Sequence, residues 1–218
     1  EPLTRREVIE KASAVKEMVF PIFTNGTLFD KSYINLFNKS RNLVPIISIE
    51  GNKDQTDARR GTGTYNSIMS AMTNLNKKAI LFGCSITVTT ENIMTVTSKE
   101  FVQKLYNKKA RILVFVEYAP VDRSTENLTP TDKEHLILEE NIEELRKEFK
   151  NMVLLSFPGD EKYMGGCLAA GRGFFHINAN GGAEPCPLSP YSDVNLKECS
   201  LRTALKSPLF KKLKDNEM

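Results

Sequence analysis

The chain has 218 residues, 40% of them hydrophobic and 26% charged. That length buries a full core without covalent staples, and the composition excludes a disordered, collagen-like or coiled-coil chain. Thirty Lys and Arg against 27 Asp and Glu leave a formal charge of +3, spread along the chain, so neither a nucleic acid nor, with no apolar run near the roughly 20 residues of a membrane span, a membrane is indicated as partner. Four cysteines, Cys84, Cys167, Cys186 and Cys199, in a chain without secretory features read as thiols or ligands of a cytoplasmic protein rather than as disulfides.

Val8, Ile9, Ala12 and Val15 recur at helical spacing, and 19–23 is a short apolar run closed by the turn signal Thr24-Asn25-Gly26, so a helix is followed by a strand. Tyr33, Ile34 and Phe37 mark the next helix and 44–49 the next strand. Ile68, Met69, Met72 and Leu75 then predict a helix, 79–90 a strand, Phe101, Val102 and Leu105 a helix, and 111–118 a strand. Thr131 with Glu134 has the pattern of a capping box, and Leu138, Ile142, Leu145 and Phe149 form the apolar stripe of the long helix behind it. A strand over 152–157 follows. Beyond Gly165 the chain is glycine-rich, with 174–177 running into Asn180-Gly181-Gly182, a hairpin signal, and short helix from Ser200 that restarts at Ser207-Pro208. A boundary near 160 divides the chain into 1–160 and 161–218.

Strands alternating with helices predict a parallel sheet whose strands end on one common edge, where ligands gather. Glu1, Asn25, Ser48, Glu50, Asn92 and Glu117 fall at those ends, although each also suits an ordinary turn or cap. The segment 57–65 reads as a glycine-containing loop opening a helix, with backbone amides available to an anion. Asn66 stands where a dinucleotide fingerprint needs a small residue, and no lysine follows as in a phosphate loop. His135 and His176 read as structural, and Cys84 as a buried thiol. A turn at Gly181-Gly182 is expected to bring Cys167 and Cys186 within roughly 7 Å, the reach of two thiolates on a shared metal or cluster; two free thiols in a small β unit is the other reading of that spacing.

Taken together, Glu1-Pro2-Leu3, Thr24-Asn25-Gly26-Thr27-Leu28, Ser48-Ile49-Glu50-Gly51, the segment 57–61 and the stretch 165–210 resemble, in order and spacing, the radical S-adenosylmethionine enzymes that carry a C-terminal twitch or SPASM-type region. The resemblance implies an α/β fold: a partial (β/α)6 barrel over 1–160 with a small C-terminal β-hairpin and helix extension over 161–218. It further implies S-adenosylmethionine as cofactor, a [4Fe–4S] cluster, and reductive cleavage to a 5′-deoxyadenosyl radical that abstracts a substrate hydrogen. A peptide or protein substrate and a reductant such as flavodoxin or ferredoxin are the implied partners. Glu1-Pro2 resembles the end of a Gly-Gly-Glu-Pro motif whose glutamate engages the cofactor's amino group. Ser48 and Arg60 are then expected at the methionyl carboxylate, Asn92 at the ribose, and Asn25 in the same cofactor-binding set. Cys167 and Cys186 are the expected ligands of an auxiliary metal centre. The family's C-x3-C-x2-C loop has no counterpart between Glu1 and Met218 and is expected upstream. No catalytic residue is therefore assigned within this chain, which alone is expected not to cleave S-adenosylmethionine. The alternatives are a non-catalytic S-adenosylmethionine-binding module and a small structural metal-binding module.

Overall fold

A computed structural model describes residues 1–215, in two compact units, Glu1–Phe157 and Pro158 onward. The first unit is built on five parallel strands in chain order: β1 (Phe20–Thr24), β2 (Leu43–Ser48), β3 (Gly83–Val88), β4 (Ile112–Glu117) and β5 (Val153–Phe157). Successive strands are joined through helices, as parallel pairing requires. These are α1 (Arg6–Ala14) before β1, α2 (Lys31–Lys39), then α3 (Lys53–Arg60) and α4 (Thr64–Lys77), then the single turn α5 (Ile93–Val96) with α6 (Lys99–Asn107), and the long α7 (Asp132–Glu148). The capping box at the start of α7 is present: the Thr131 hydroxyl accepts from the Glu134 amide, and the Glu134 carboxylate accepts from the Thr131 amide at 2.8 Å. The Thr131 amide, and after it the Thr131 hydroxyl, which also donates to that carboxylate, hold the Glu134 carboxyl below the usual glutamate range.

The strand pairing fixes two unlike faces. Phe23, Ile46, Gly83, Ile112 and Val153 lie in one row across the sheet, and Ser48, Ser85, Val114 and Leu155 in the next. With a side-chain period of two, the residues between them point the other way. Ile22, Ile47, Cys84, Ile86, Leu113, Phe115 and Leu154 belong to a single buried core with the helical stripes of Ile34 and Phe37, Ile68 and Met72, Val102 and Leu105, and Leu138 and Ile142. None of the first set joins that core. On that face Ile46 and Gly83 are buried, Ser48, Ser85, Ile112, Val114 and Val116 half-buried, and Phe23, Val153 and Leu155 exposed, so the five strands present an incompletely covered face opposite the helices. β1 and β5 are the edges.

Two elements differ from the sequence-based expectation. The strand expected over 79–90 is shorter, because Ala79 turns the chain with φ +49° and Thr89 is spent on a loop clamp described below. Helix α3 occupies 53–60, where a loop was expected to begin at Asp57. The expected helix at Val8, Ile9, Ala12 and Val15 forms, but only Ile9 is buried.

In the second unit β6 (His176–Ile177) and β7 (Ala183–Glu184) form the expected antiparallel hairpin, with His176 opposite Glu184. Asn178 Oδ1 accepts from the amides of Asn180 and Gly182, and Gly181 sits at φ +93°, a conformation that favours glycine. Helices α8 (Leu201–Ala204) and α9 (Pro208–Asp215) follow. Ala170, Ala183, Ala204 and Phe210 form a small core, with the Phe175 ring edge-on to Phe210 at 5.7 Å. No helix among the described residues is long and apolar enough to cross a membrane.

Candidate functional site

The carboxyl ends of β1, β2 and β3 carry most of the polar side chains singled out above. At β1, the Glu1 carboxylate accepts from the Thr24 hydroxyl and the Asn25 amide, both at 2.8 Å, and from the Leu3 amide at 3.1 Å. This locks the first residues against the end of β1. Asn25 Oδ1 in turn accepts from the amide and hydroxyl of Thr27. Thr24 pairs with Ile47, so Asn25 and Ser48 leave the sheet side by side. The Ser48 and Ser85 hydroxyls, in register on the incompletely covered face, have no hydrogen-bond partner among the described residues.

Past β2 the chain buries a carboxylate. Glu50 is 1% exposed, and its Oε1 accepts from Arg60 Nη2 at 2.5 Å and Nε at 2.8 Å, with Arg59 Nε 3.6 Å away. Arg60 keeps Nη1 without a partner among the described residues. The arginine expected to face a ligand carboxylate therefore has a resident one, ten residues earlier in the chain, which fixes its orientation. Asn92, expected at a ribose, is 5% exposed. Its Nδ2 hydrogens go to the Glu50 and Thr87 carbonyls, at 3.0 and 2.8 Å, and its Oδ1 accepts from the Thr89 amide. Both amide hydrogens are spent within the chain, so Asn92 clamps the end of β3 to the loop after β2.

The anion expected at the glycine-containing loop is a side chain of the chain itself. Asp57 Oδ1 accepts from the Tyr65 amide at 2.8 Å in the first turn of α4, whose N-cap, Gly63, has no side-chain oxygen to offer. That bond, with help from the Gly63 amide, holds the Asp57 carboxyl below the ordinary aspartate range. Its contribution to stability is present above that range and is lost as pH falls through the lowered value.

Both histidines pair with carboxylates: His135 Nδ1 lies 2.8 Å from Glu117 Oε2, and His176 Nδ1 2.7 Å from Glu184 Oε2. Glu184 is buried, and the Asn178 amide and then His176 depress its pKa. Cys84 is fully buried, which pushes its thiol pKa far up, whereas Cys167 is exposed and Cys186 and Cys199 half-buried. No group of three or more His, Cys, Asp or Glu among the described residues is arranged to hold a metal ion, so Cys167 and Cys186 do not complete a site with the other described residues.

Sequence reasoning missed the Glu50–Arg60 pair and helix α3. The helix carries no apolar stripe, and Thr56 is its only buried residue. Its signal was Asn52 with Gln55 three residues on, a capping box formed in full by reciprocal 3.0 Å bonds.

No protein-family model matches the chain, and no curated protein matches it by sequence. Solved structures do. SuiB of Streptococcus suis bound to S-adenosylmethionine superposes with a TM-score of 0.78 at 18% identity, over 96% of this chain and 53% of SuiB. SuiB bound to its precursor peptide SuiA gives 0.73 at 17%, over 96% and 52%. The enzyme anSMEcpe with bound AdoMet and the Cp18Cys peptide gives 0.72 at 15%, over 97% and 66%. The chain thus spans about half the length of SuiB. At these identities the comparison establishes the fold: a five-stranded parallel α/β sheet with a small antiparallel hairpin, matching the partial barrels of radical S-adenosylmethionine enzymes.

Proposed function

We propose that this chain is the central and C-terminal part of a radical S-adenosylmethionine oxidoreductase that modifies a peptide or protein, and that its sheet edge holds the amino-acid end of the cofactor. The observation that carries this reading is the set of polar groups at the ends of β1 and β2: an anchored carboxylate at Glu1, the unpartnered Ser48 hydroxyl, and the remaining Nη1 donor of Arg60. A cofactor with an ammonium and a carboxylate on one carbon needs one acceptor and one cationic donor, joined by charge-assisted hydrogen bonds. Glu1 supplies the first, Arg60 and Ser48 the second. Asn25 belongs to the same edge, and Asn92 acts through the loop it clamps. SuiB and anSMEcpe were crystallised with S-adenosylmethionine and with peptides, which supports the cofactor and the substrate class.

The electron that cleaves the cofactor would come from a [4Fe–4S] cluster, for which this chain would have to draw on ligands other than its own cysteines. The cysteines at 84, 167, 186 and 199 include no C-x3-C-x2-C loop and do not fit that cluster, so no step of the chemistry is routed through them. Cys167 and Cys186 are proposed as two ligands of an auxiliary centre whose other ligands come from outside the described residues.

The test is equilibrium binding of S-adenosylhomocysteine, which keeps the amino-acid and nucleoside groups without the reactive sulfonium. Saturable binding is expected, weakened about tenfold or more by Arg60→Ala and several-fold by Ser48→Ala, the range of a charged and a neutral hydrogen bond. Absence of binding, or binding indifferent to both substitutions, contradicts the proposal.

A further inference from the structure

Lysine and arginine are spread along the sequence, but the fold gathers eight of them. Lys39 and Arg41, Lys77 and Lys78, Lys108, Lys109 and Arg111, and Lys150 occupy the turns that lead into β2, β3, β4 and β5, at the amino edge of the sheet. Those turns, 39–42, 76–79, 107–111 and 149–152, contain no Asp or Glu. The net charge of the chain is only +3, so the residues other than these eight sum to −5. None of the eight makes an ion pair among the described residues. Arg41 donates to the Ala79 and Lys78 carbonyls at 2.6 and 3.2 Å, which fastens the first turn to the second. Arg111 donates to the Ala110 and Tyr106 carbonyls, its guanidinium 4.5 Å over the Tyr106 ring. The guanidinium groups thus serve the turns themselves. The ammonium groups of Lys39, Lys77, Lys78, Lys109 and Lys150, all on exposed residues, have no partner among the described residues.

Cations suit helix ends, yet Lys109 lies beyond α6 at φ +73°, where its amide and that of Ala110 close the helix onto the Tyr106 and Leu105 carbonyls. Glycine is the ordinary residue there, and a side chain is held at a cost. The sequence Asn-Lys-Lys-Ala stands both at 76–79 and at 107–110, and a cleft of about 550 Å³ runs between the helices that these turns end, α4 and α6. Asn76, Gln103 and Asn107 line it with Lys104 and Lys108, and Glu100 is the one carboxylate among its lining residues. The geometry points to this cleft and its two lysine turns as a docking site for an acidic polypeptide segment. Exposed ammonium groups unmatched by carboxylates select an anionic partner. Side-chain amides, each with a donor and an acceptor, suit a polypeptide backbone. A nucleic acid finds neither a free guanidinium fork for its phosphates nor an open aromatic face for its bases in these turns, since Arg111 covers Tyr106. A flat lipid surface leaves the cleft unused. The site lies at the opposite edge of the sheet from Ser48 and does not rest on the cofactor reading.

The experiment is titration of the chain with N-acetylated hexaglutamate amide and its hexaglutamine counterpart, followed by amide chemical shifts. Hexaglutamate is expected to bind saturably, about tenfold or more tightly than hexaglutamine, with shifts at residues 73–79 and 103–111. The preference is expected to vanish at about 1 M salt, where charges are screened beyond about 3 Å. Lys109→Gly is expected to fold at least as stably as the parent, because glycine takes the positive φ without strain, and to weaken hexaglutamate several-fold. Adding Lys77→Gln and Lys78→Gln is expected to remove the preference for glutamate. Equal binding of the two peptides, no binding, shifts confined to other segments, or variants that bind as the parent does overturn the inference. An oligothymidylate of equal charge that binds more tightly than hexaglutamate overturns it in favour of nucleic acid. Uptake by phosphatidylglycerol vesicles that hexaglutamate does not compete away overturns it in favour of a lipid surface.

Discussion

Phe115→Ala is expected to lower the stability of the first unit by about 3–5 kcal/mol, while Val116→Ala, its neighbour on β4, costs about 1 kcal/mol. The two side chains leave the same strand in opposite directions. Phe115 is fully buried in the core shared with the helices, and its removal leaves a cavity that close-packed neighbours refill only in part. Val116 is half-buried on the other face and outside that core. Denaturant unfolding of the two variants measures the difference. Equal costs would mean that the second face is packed as tightly as the first, and the division of the sheet into a closed and a partly open side would fall.

The second large effect is expected at Gly83, the first residue of β3. It lies between Ile46 and Ile112 in the same row across the sheet. A Cβ added there would stand 2.6 Å from the Ile112 carbonyl oxygen, 2.7 Å from Ile112 Cβ and 3.0 Å from Ile46 Cδ1. Two of those atoms belong to or adjoin the backbone of β4 and cannot rotate away, so Gly83→Ala must shift a central strand. A loss of about 3 kcal/mol is expected, the upper part of the overpacking range, together with weaker binding at the Ser48–Ser85 row two residues further on. An alanine variant as stable as the parent would show that β3 and β4 approach less closely than described.

The elements most legible in the sequence were those in which one signal dominates. The α7 capping box and apolar stripe, the buried run that became β2, and the Asn-Gly-Gly hairpin each follow from local chemistry that burial reinforces. Helix α3 was obscured because its side chains are almost wholly polar, so periodicity is silent and only its caps speak. The candidate site was legible as a cluster of polar residues at strand ends and less so as a set of contacts. That Ser48 and Asn92 reach one sheet edge follows from strand order, whereas the place of Glu1 and the partners of Arg60, Asp57 and Asn92 are set by how the chain folds back, over 24, 10, 8 and 42 residues respectively. No periodicity encodes those distances. Asp57 shows the cost: a loop with amides suited to an anion already contains one.

Amide hydrogen exchange of the chain with and without saturating S-adenosylhomocysteine tests the central claim most directly. Added protection is predicted in 24–28 and 48–51, at the carboxyl ends of β1 and β2, with the helix-facing core of α2 and α6 unchanged. Protection confined to the second unit, or none at any segment under saturating ligand, would contradict the assignment of this sheet edge to the cofactor.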